Sequence, residues 1–178
     1  LLLIDYGGGT LDIALCNVED KDTSSEITVL HRTGVGSNDD GVGFGGILFL
    51  ETVIDLALEK AGFAHDEIIK NSEYYNCVHA LENALMGLCD RIENVFAGTN
   101  GPLENIDRQF AKVNYNERNY YITYGMLALA YKNAIHDCLE KNLNEMIVYM
   151  KKNKINFEIS DRDDFKIALV GGFCNFYL

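Results

Sequence analysis

Three consecutive glycines, Gly7, Gly8 and Gly9, stand between two apolar runs, with an acid on each side. Leu1 to Ile4 is wholly apolar and delivers Asp5; after Thr10 the chain resumes as Leu11-Asp12-Ile13-Ala14-Leu15. This order predicts a strand, a tight turn and a returning strand. Glycine lacks a Cβ and reaches positive φ, and the alternation after the turn gives the second strand one buried face. Bare backbone also lets phosphate oxygens approach the N–H groups of the turn. Asp5 would then aim its carboxylate at the turn and hold the water shell of a Mg²⁺ that accompanies a nucleotide. Thr10 adds a hydroxyl, and Asp12 faces the polar side. A glycine-rich hairpin with two incidental acids is the plain alternative; two flanking acids and a hydroxyl favour a phosphate cradle.

The rest of the chain alternates sheet and helix signals. Strands are expected at Leu1 to Asp5, Leu11 to Glu19 and Glu26 to Gly34, the last two joined by the polar turn Asp20 to Ser25. A glycine-rich polar loop, Gly34 to Gly46, leads into a helix from Ile47 to about Gly62, with Leu48, Val53, Leu56 and Ala57 inside and the acids and Lys60 outside. A second helix, Ser72 to Phe96, is capped by Asn71 or Ser72, and Gly98 to Pro102 is a turn. Two short strands, Gln109 to Tyr115 and Asn119 to Ile122, flank the hairpin turn Asn116-Glu117-Arg118. Thr123 caps a long helix from about Tyr124 to Lys152 that has room for an interruption, and Phe165 to Val170 closes as a strand. Gly41-Val42-Gly43-Phe44-Gly45-Gly46 spells the dinucleotide-binding fingerprint, but a long polar loop precedes it and a helix occupies the place of the second strand, so that reading is rejected.

Composition narrows the partners. With 178 residues, 48% hydrophobic, the chain can bury a core as one domain or one lobe with two subdomains. A formal charge of −12 excludes nucleic acid and anionic membrane as partners, because both are bound by clustered Lys and Arg. Cys16, Cys77, Cys89, Cys138 and Cys174 are odd in number and show no C-x-x-C spacing, which suits small buried hydrophobes, free thiols in a reducing, cytoplasmic setting without a metal site. His31, His65, His79 and His136 form no ligand spacing either. The most apolar run, Ile47 to Ala64, carries Glu51, Asp55, Glu59 and Lys60 and is amphipathic, not a membrane span.

Asp5-Tyr6-Gly7-Gly8-Gly9-Thr10-Leu11-Asp12 resembles the second phosphate motif of the actin-like ATPase superfamily, most closely that of DnaK-type heat-shock chaperones. Phe165 to Val170 followed by Gly171-Gly172-Phe173 is similar to the family's adenosine motif, and Gly43 to Phe49 looks like its glycine pair before a long helix, near the ribose. The three motifs stand in the family's order and span nearly the whole chain. The resemblance implies an α/β, ribonuclease H-like lobe with a βββαβα-type core (1–44 and 133–178) and an inserted, mostly helical outer subdomain carrying a β-hairpin (45–132).

It also implies a site for ATP or ADP with Mg²⁺. Gly7, Gly8, Gly9 and Thr10 would hold phosphates, Asp5 would order Mg²⁺ through water, and Asp12 would position water or a cation. Gly45, Gly46, Asp90, Gly171, Gly172 and Phe173 would surround the nucleoside. Only the family's second lobe is represented, which implies a piece of a longer protein that is incomplete for hydrolysis alone; its partners would be the missing first lobe, co-chaperones and clients. Two departures stand out. Phe173-Cys174-Asn175 replaces the small hydroxyl residue and later arginine of the family, and Asp90-Arg91-Ile92-Glu93-Asn94 keeps an acid but not the basic pair. A non-hydrolysing scaffold of the same fold, or a kinase or activator ATPase of the superfamily, is the alternative.

Overall fold

The structure, a computed structural model, describes residues 1–36, 45–86, 107–155 and 165–172. It is a mixed α/β chain that divides into two compact units, one of Leu1–Gly46 with His136–Cys174 and one built on Ile47–Ile135.

The first unit is organised by a four-stranded mixed sheet in the order β3-β2-β1-β6, where β1 is Leu2–Tyr6, β2 Leu11–Lys21, β3 Ser24–Val35 and β6 Ile167–Val170. The first three strands form an antiparallel meander and β6 runs parallel to β1. The period-two pattern sets the register: Leu2 faces Leu15, Ile4 faces Ile13 and Tyr6 faces Leu11, and all six side chains are buried. The β2–β3 hairpin is tighter than the sequence suggests, because strand pairing runs out to Lys21 and Ser24 across most of the polar stretch expected to be a turn. A β-bulge also breaks the alternation. Leu15 pairs with His31 but Cys16 pairs with Val29, so Leu30 is the extra residue. Cys16 is buried, as is Leu15 before it.

Helix α4, Asp137–Lys152, is tied to β3 at this bulge. The Tyr149 hydroxyl donates to the Leu30 carbonyl at 2.8 Å, the Tyr149 ring stacks on His31 at 3.9 Å, and Thr33 Oγ1 donates to Asn142 Oδ1 at 2.8 Å. Asn142, Met146 and Tyr149 or Met150 recur at helical spacing, and Asn142, Met146 and Met150 are buried.

The second unit holds most of α1 (Gly46–Lys60), α2 (Ser72–Met86), the hairpin β4 (Gln109–Tyr115) and β5 (Arg118–Thr123), and α3 (Tyr124–Tyr131). Glycine ends α1 as expected of a left-handed residue: Gly62 has φ 100° and donates to the Glu59 carbonyl at 2.9 Å. Asn71 Oδ1 accepts from the Tyr74 N–H at 3.0 Å and caps α2; Thr123 Oγ1 accepts from the Met126 N–H at 3.4 Å and caps α3. The β4–β5 turn places Asn116 and Glu117 both at positive φ, the geometry of a tight hairpin. The long C-terminal helix expected from Tyr124 to Lys152 is interrupted by a π-helical turn at Lys132–His136, where the two units also divide. The far end of the helix expected to reach Phe96 and the turn Gly98 to Pro102 lie outside the described residues. No helix among the described residues is long and apolar enough to cross a membrane.

Candidate functional site

The residues expected to form a phosphate cradle lie at one end of the first unit's sheet. Asp5 and Asp12 are direct cross-strand partners, and both are exposed. Neither carboxylate, nor the Thr10 hydroxyl, has a hydrogen-bond or ion-pair partner among the described residues. Asp12 is flanked on its other side by Gly34, which brings no side chain to cover it. The turn is closed by Gly7 N–H donating to the Thr10 carbonyl at 3.0 Å.

The turn does not use the freedom of Gly7, Gly8 and Gly9 to reach positive φ: among the described glycines only Gly62 and Gly171 adopt it. A Cβ added to Gly8 or Gly9 would meet nothing within 4 Å. The chain therefore does not need glycine at either position for its own packing, and both residues present bare, exposed backbone.

The crowding that glycine relieves lies around the turn instead. A Cβ on Gly45 would stand 2.5 Å from the Gly7 carbonyl oxygen and 2.7 Å from both Gly8 C and Thr10 N. Gly46, the first residue of α1, donates its N–H to the Gly7 carbonyl at 3.0 Å, so Gly45-Gly46 straps the turn from behind. A Cβ on Gly34 would come within 2.4 Å of the Leu11 carbonyl oxygen. Gly171 has φ 97°, and a Cβ there would lie 2.4 Å from the Tyr6 carbonyl oxygen and 2.6 Å from Asp5 Oδ1. Gly172 meets nothing within 4 Å. Gly45, Gly46 and Gly171, expected around a nucleoside, thus lie against the turn and the end of β1. Asp90 and Phe173, the other expected nucleoside contacts, lie outside the described residues.

Gly34 belongs to none of the motifs read from the sequence. Its signal in the sequence is a glycine near the end of the third strand, but placing it opposite Asp12 requires the bulge. Counting pairs from Lys21 and Ser24 without the extra residue would set Thr33 there.

The second unit concentrates charge differently. Glu51, expected on the outside of α1, is buried. Lys70 Nζ lies 2.6 Å from Glu51 Oε2 and 3.8 Å from Asp55 Oδ2, while the Tyr74 hydroxyl donates to Asp55 Oδ1 at 2.7 Å. Burial alone would lower the Lys70 ammonium, but the Glu51 hydrogen bond and the charges of Asp55 and Glu51 outweigh it and hold Lys70 above its ordinary value. Burial first, then the Asp55 hydrogen bond and charge, pushes the Tyr74 phenol far up. Every acid here has a partner, as expected of a structural network.

An open cleft of about 310 Å³ in the second unit is lined in part by Lys60, Asp107, Gln109 and Tyr121, and none of the expected site residues borders it. His136, Asp137 and Glu140 bring possible ligand atoms within 4.8 Å of one another, but all three are exposed, in a helix's first turn, and apart from Asp5 and Asp12 in sequence. Among the cysteines, Cys16, Cys77 and Cys138 are free thiols; burial pushes the Cys77 and Cys138 thiols up, away from nucleophilic use at neutral pH. Cys89 and Cys174 lie outside the described residues.

No protein-family model matches the chain, and no curated protein matches it.

Proposed function

We propose that this chain is the nucleotide-binding second lobe of a DnaK-like, actin-like ATPase, a cytoplasmic chaperone component that binds ATP or ADP with Mg²⁺ and is incomplete for hydrolysis by itself. The carrying observation is the pair Asp5 and Asp12: two exposed carboxylates directly opposite each other, without partners among the described residues, beside a turn where a Cβ on Gly8 or Gly9 would meet nothing within 4 Å. Like charges directly opposite on paired strands are destabilising, and glycine where no close approach demands it adds entropy to the unfolded chain. Both costs gain a purpose if a cation and phosphate oxygens occupy this end of the sheet. A site that breaks local rules without internal compensation is where function is expected.

In this reading the turn Gly7 to Thr10 cradles the phosphates, with the backbone N–H groups of Gly8, Gly9 and Thr10 and the Thr10 hydroxyl facing phosphate oxygens while the Gly7 N–H closes the turn on the Thr10 carbonyl; Asp5 orients the water shell of Mg²⁺, and Asp12 orients water or a second cation. The metal supplies charge neutralisation for the phosphates. The opposing lobe would contribute the remaining catalytic groups, with co-chaperones and clients as further partners. Element order supports the assignment, since three antiparallel strands followed by helix and a strand parallel to the first are the opening elements of a βββαβα, ribonuclease H-like core.

The test is amide NMR on the full chain titrated with ATP and Mg²⁺ into the millimolar range. Saturable, Mg²⁺-dependent shifts at Gly7 to Thr10 are expected. Unmoved turn amides at the highest concentration would overturn the assignment.

A further inference from the structure

We infer that Gly171 is a positioning residue for Asp5, not a nucleoside contact; this inference rests on the nucleotide-binding reading above. The position meets two demands at once. Its φ of 97° lies in the left-handed region, and the place of its missing Cβ is 2.6 Å from Asp5 Oδ1 and 2.4 Å from the Tyr6 carbonyl oxygen. An L side chain is strained by the first and excluded by the second. The contact follows from the parallel pairing of β6 with β1, in which Val170 is the register partner of Asp5, so that the next residue wraps over the strand end.

Only a residue without a side chain lets the Asp5 carboxylate lie against the backbone at that point. Gly172, its neighbour, shares neither feature: its φ is not positive and a Cβ would enter open space. The Gly-Gly pair therefore has two separable duties. Gly171 seats the acid that faces the metal, and Gly172 is free to approach a ligand. What resembles one adenosine motif acts, at its first glycine, on the phosphate and metal side.

The experiment compares two probes, ATP with Mg²⁺ and tripolyphosphate with Mg²⁺, the second lacking a nucleoside. For Gly171→Ala, binding of both is expected to weaken by the same factor, about 10- to 100-fold, the usual cost of disturbing a group that orients a metal ligand. The dependence on Mg²⁺ concentration should flatten in parallel. In an Asp5→Ala background the part of the Gly171→Ala loss that acts through the carboxylate should vanish, leaving only what the Tyr6 carbonyl contact and the positive φ cost by themselves. Gly172→Ala should leave tripolyphosphate binding unchanged. Weaker ATP binding with intact tripolyphosphate binding in Gly171→Ala would make Gly171 a nucleoside contact and overturn the inference.

If Gly171→Ala does not fold, the unsubstituted chain decides the question. Mn²⁺ in place of Mg²⁺ should broaden the Gly171 amide together with Asp5, whereas nuclear Overhauser contacts from ribose or adenine protons to the Gly171 Hα would overturn the inference. A native chain that binds neither probe overturns the nucleotide reading itself, and this inference with it; a native chain that binds both without an effect at Gly171 overturns the inference alone.

Discussion

Two pairs of carboxylates, one in each unit, are handled in opposite ways. In the second, Glu51 and Asp55 stand one helical turn apart on α1 and are both engaged by Lys70, with Tyr74 donating to Asp55. In the first, Asp5 and Asp12 stand directly opposite on neighbouring strands with no partner among the described residues. A partnered acid is accounted for by the fold; an unpartnered pair of acids lowers stability and calls for a ligand. The glycines divide along the same line. A Cβ on Gly34, Gly45 or Gly171 would run into backbone or side chain, whereas one on Gly8 or Gly9 would meet nothing within 4 Å.

Substitutions can break this comparison, the largest effect first. Gly45→Ala would drive a Cβ into three backbone atoms of the turn, and a destabilisation of about 3 kcal/mol is expected from overpacking against groups that cannot rotate away. Urea denaturation checks it, and a loss below about 1 kcal/mol would mean that the strap is loosely held. Lys70→Met leaves Glu51 buried without its cation; about 1–3 kcal/mol should be lost, with no change in nucleotide binding.

The same network sets an alkaline limit. Lys70 and Tyr74 both titrate above their ordinary values of 10.5 and 10.0 in the folded chain. A group raised on folding contributes stability that is present below its unfolded value and is lost as pH rises toward its folded one. Denaturation midpoints should therefore hold up to about pH 10 and fall above it, and Lys70→Met should fall less steeply. A midpoint flat to pH 11 would contradict the network's role.

Asp12→Asn should do the reverse of Lys70→Met. Removing one of two opposed charges should stabilise the ligand-free chain by about 0.2–1 kcal/mol while weakening Mg²⁺-dependent ATP binding. A net destabilisation would show that the Asp5–Asp12 pair is structural. Smallest of all, Gly8→Ala should change stability by no more than about 0.5 kcal/mol, and any effect should appear in phosphate binding.

Much of this was legible in the residues. The apolar run before Asp5, the alternation after Thr10, the caps at Asn71 and Thr123 and the glycine stop at Gly62 are local signals, each fixed by a few neighbouring dihedrals or one hydrogen bond. What local patterns leave open is settled where a distant element intervenes. An extra residue, Leu30, enters β3, and its carbonyl is met by Tyr149, 119 residues away. Glu51 is buried because Lys70, on another segment, supplies the compensating charge. Neither follows from periodicity, which records only the positions along one element.

The sequence by itself determined the strand–turn–strand around Gly7 to Thr10, the two acids beside it and the elements that follow, because turn formation and amphipathic pairing depend on local geometry. The tertiary structure decided what those residues face. The Leu30 bulge advanced the register so that Gly34, not Thr33, lies beside Asp12. The parallel docking of β6 laid Gly171 over Asp5, and the Gly45-Gly46 strap closed on Gly7. Those are contacts between segments far apart in the chain, set by register and close backbone approach, and a linear pattern does not encode either.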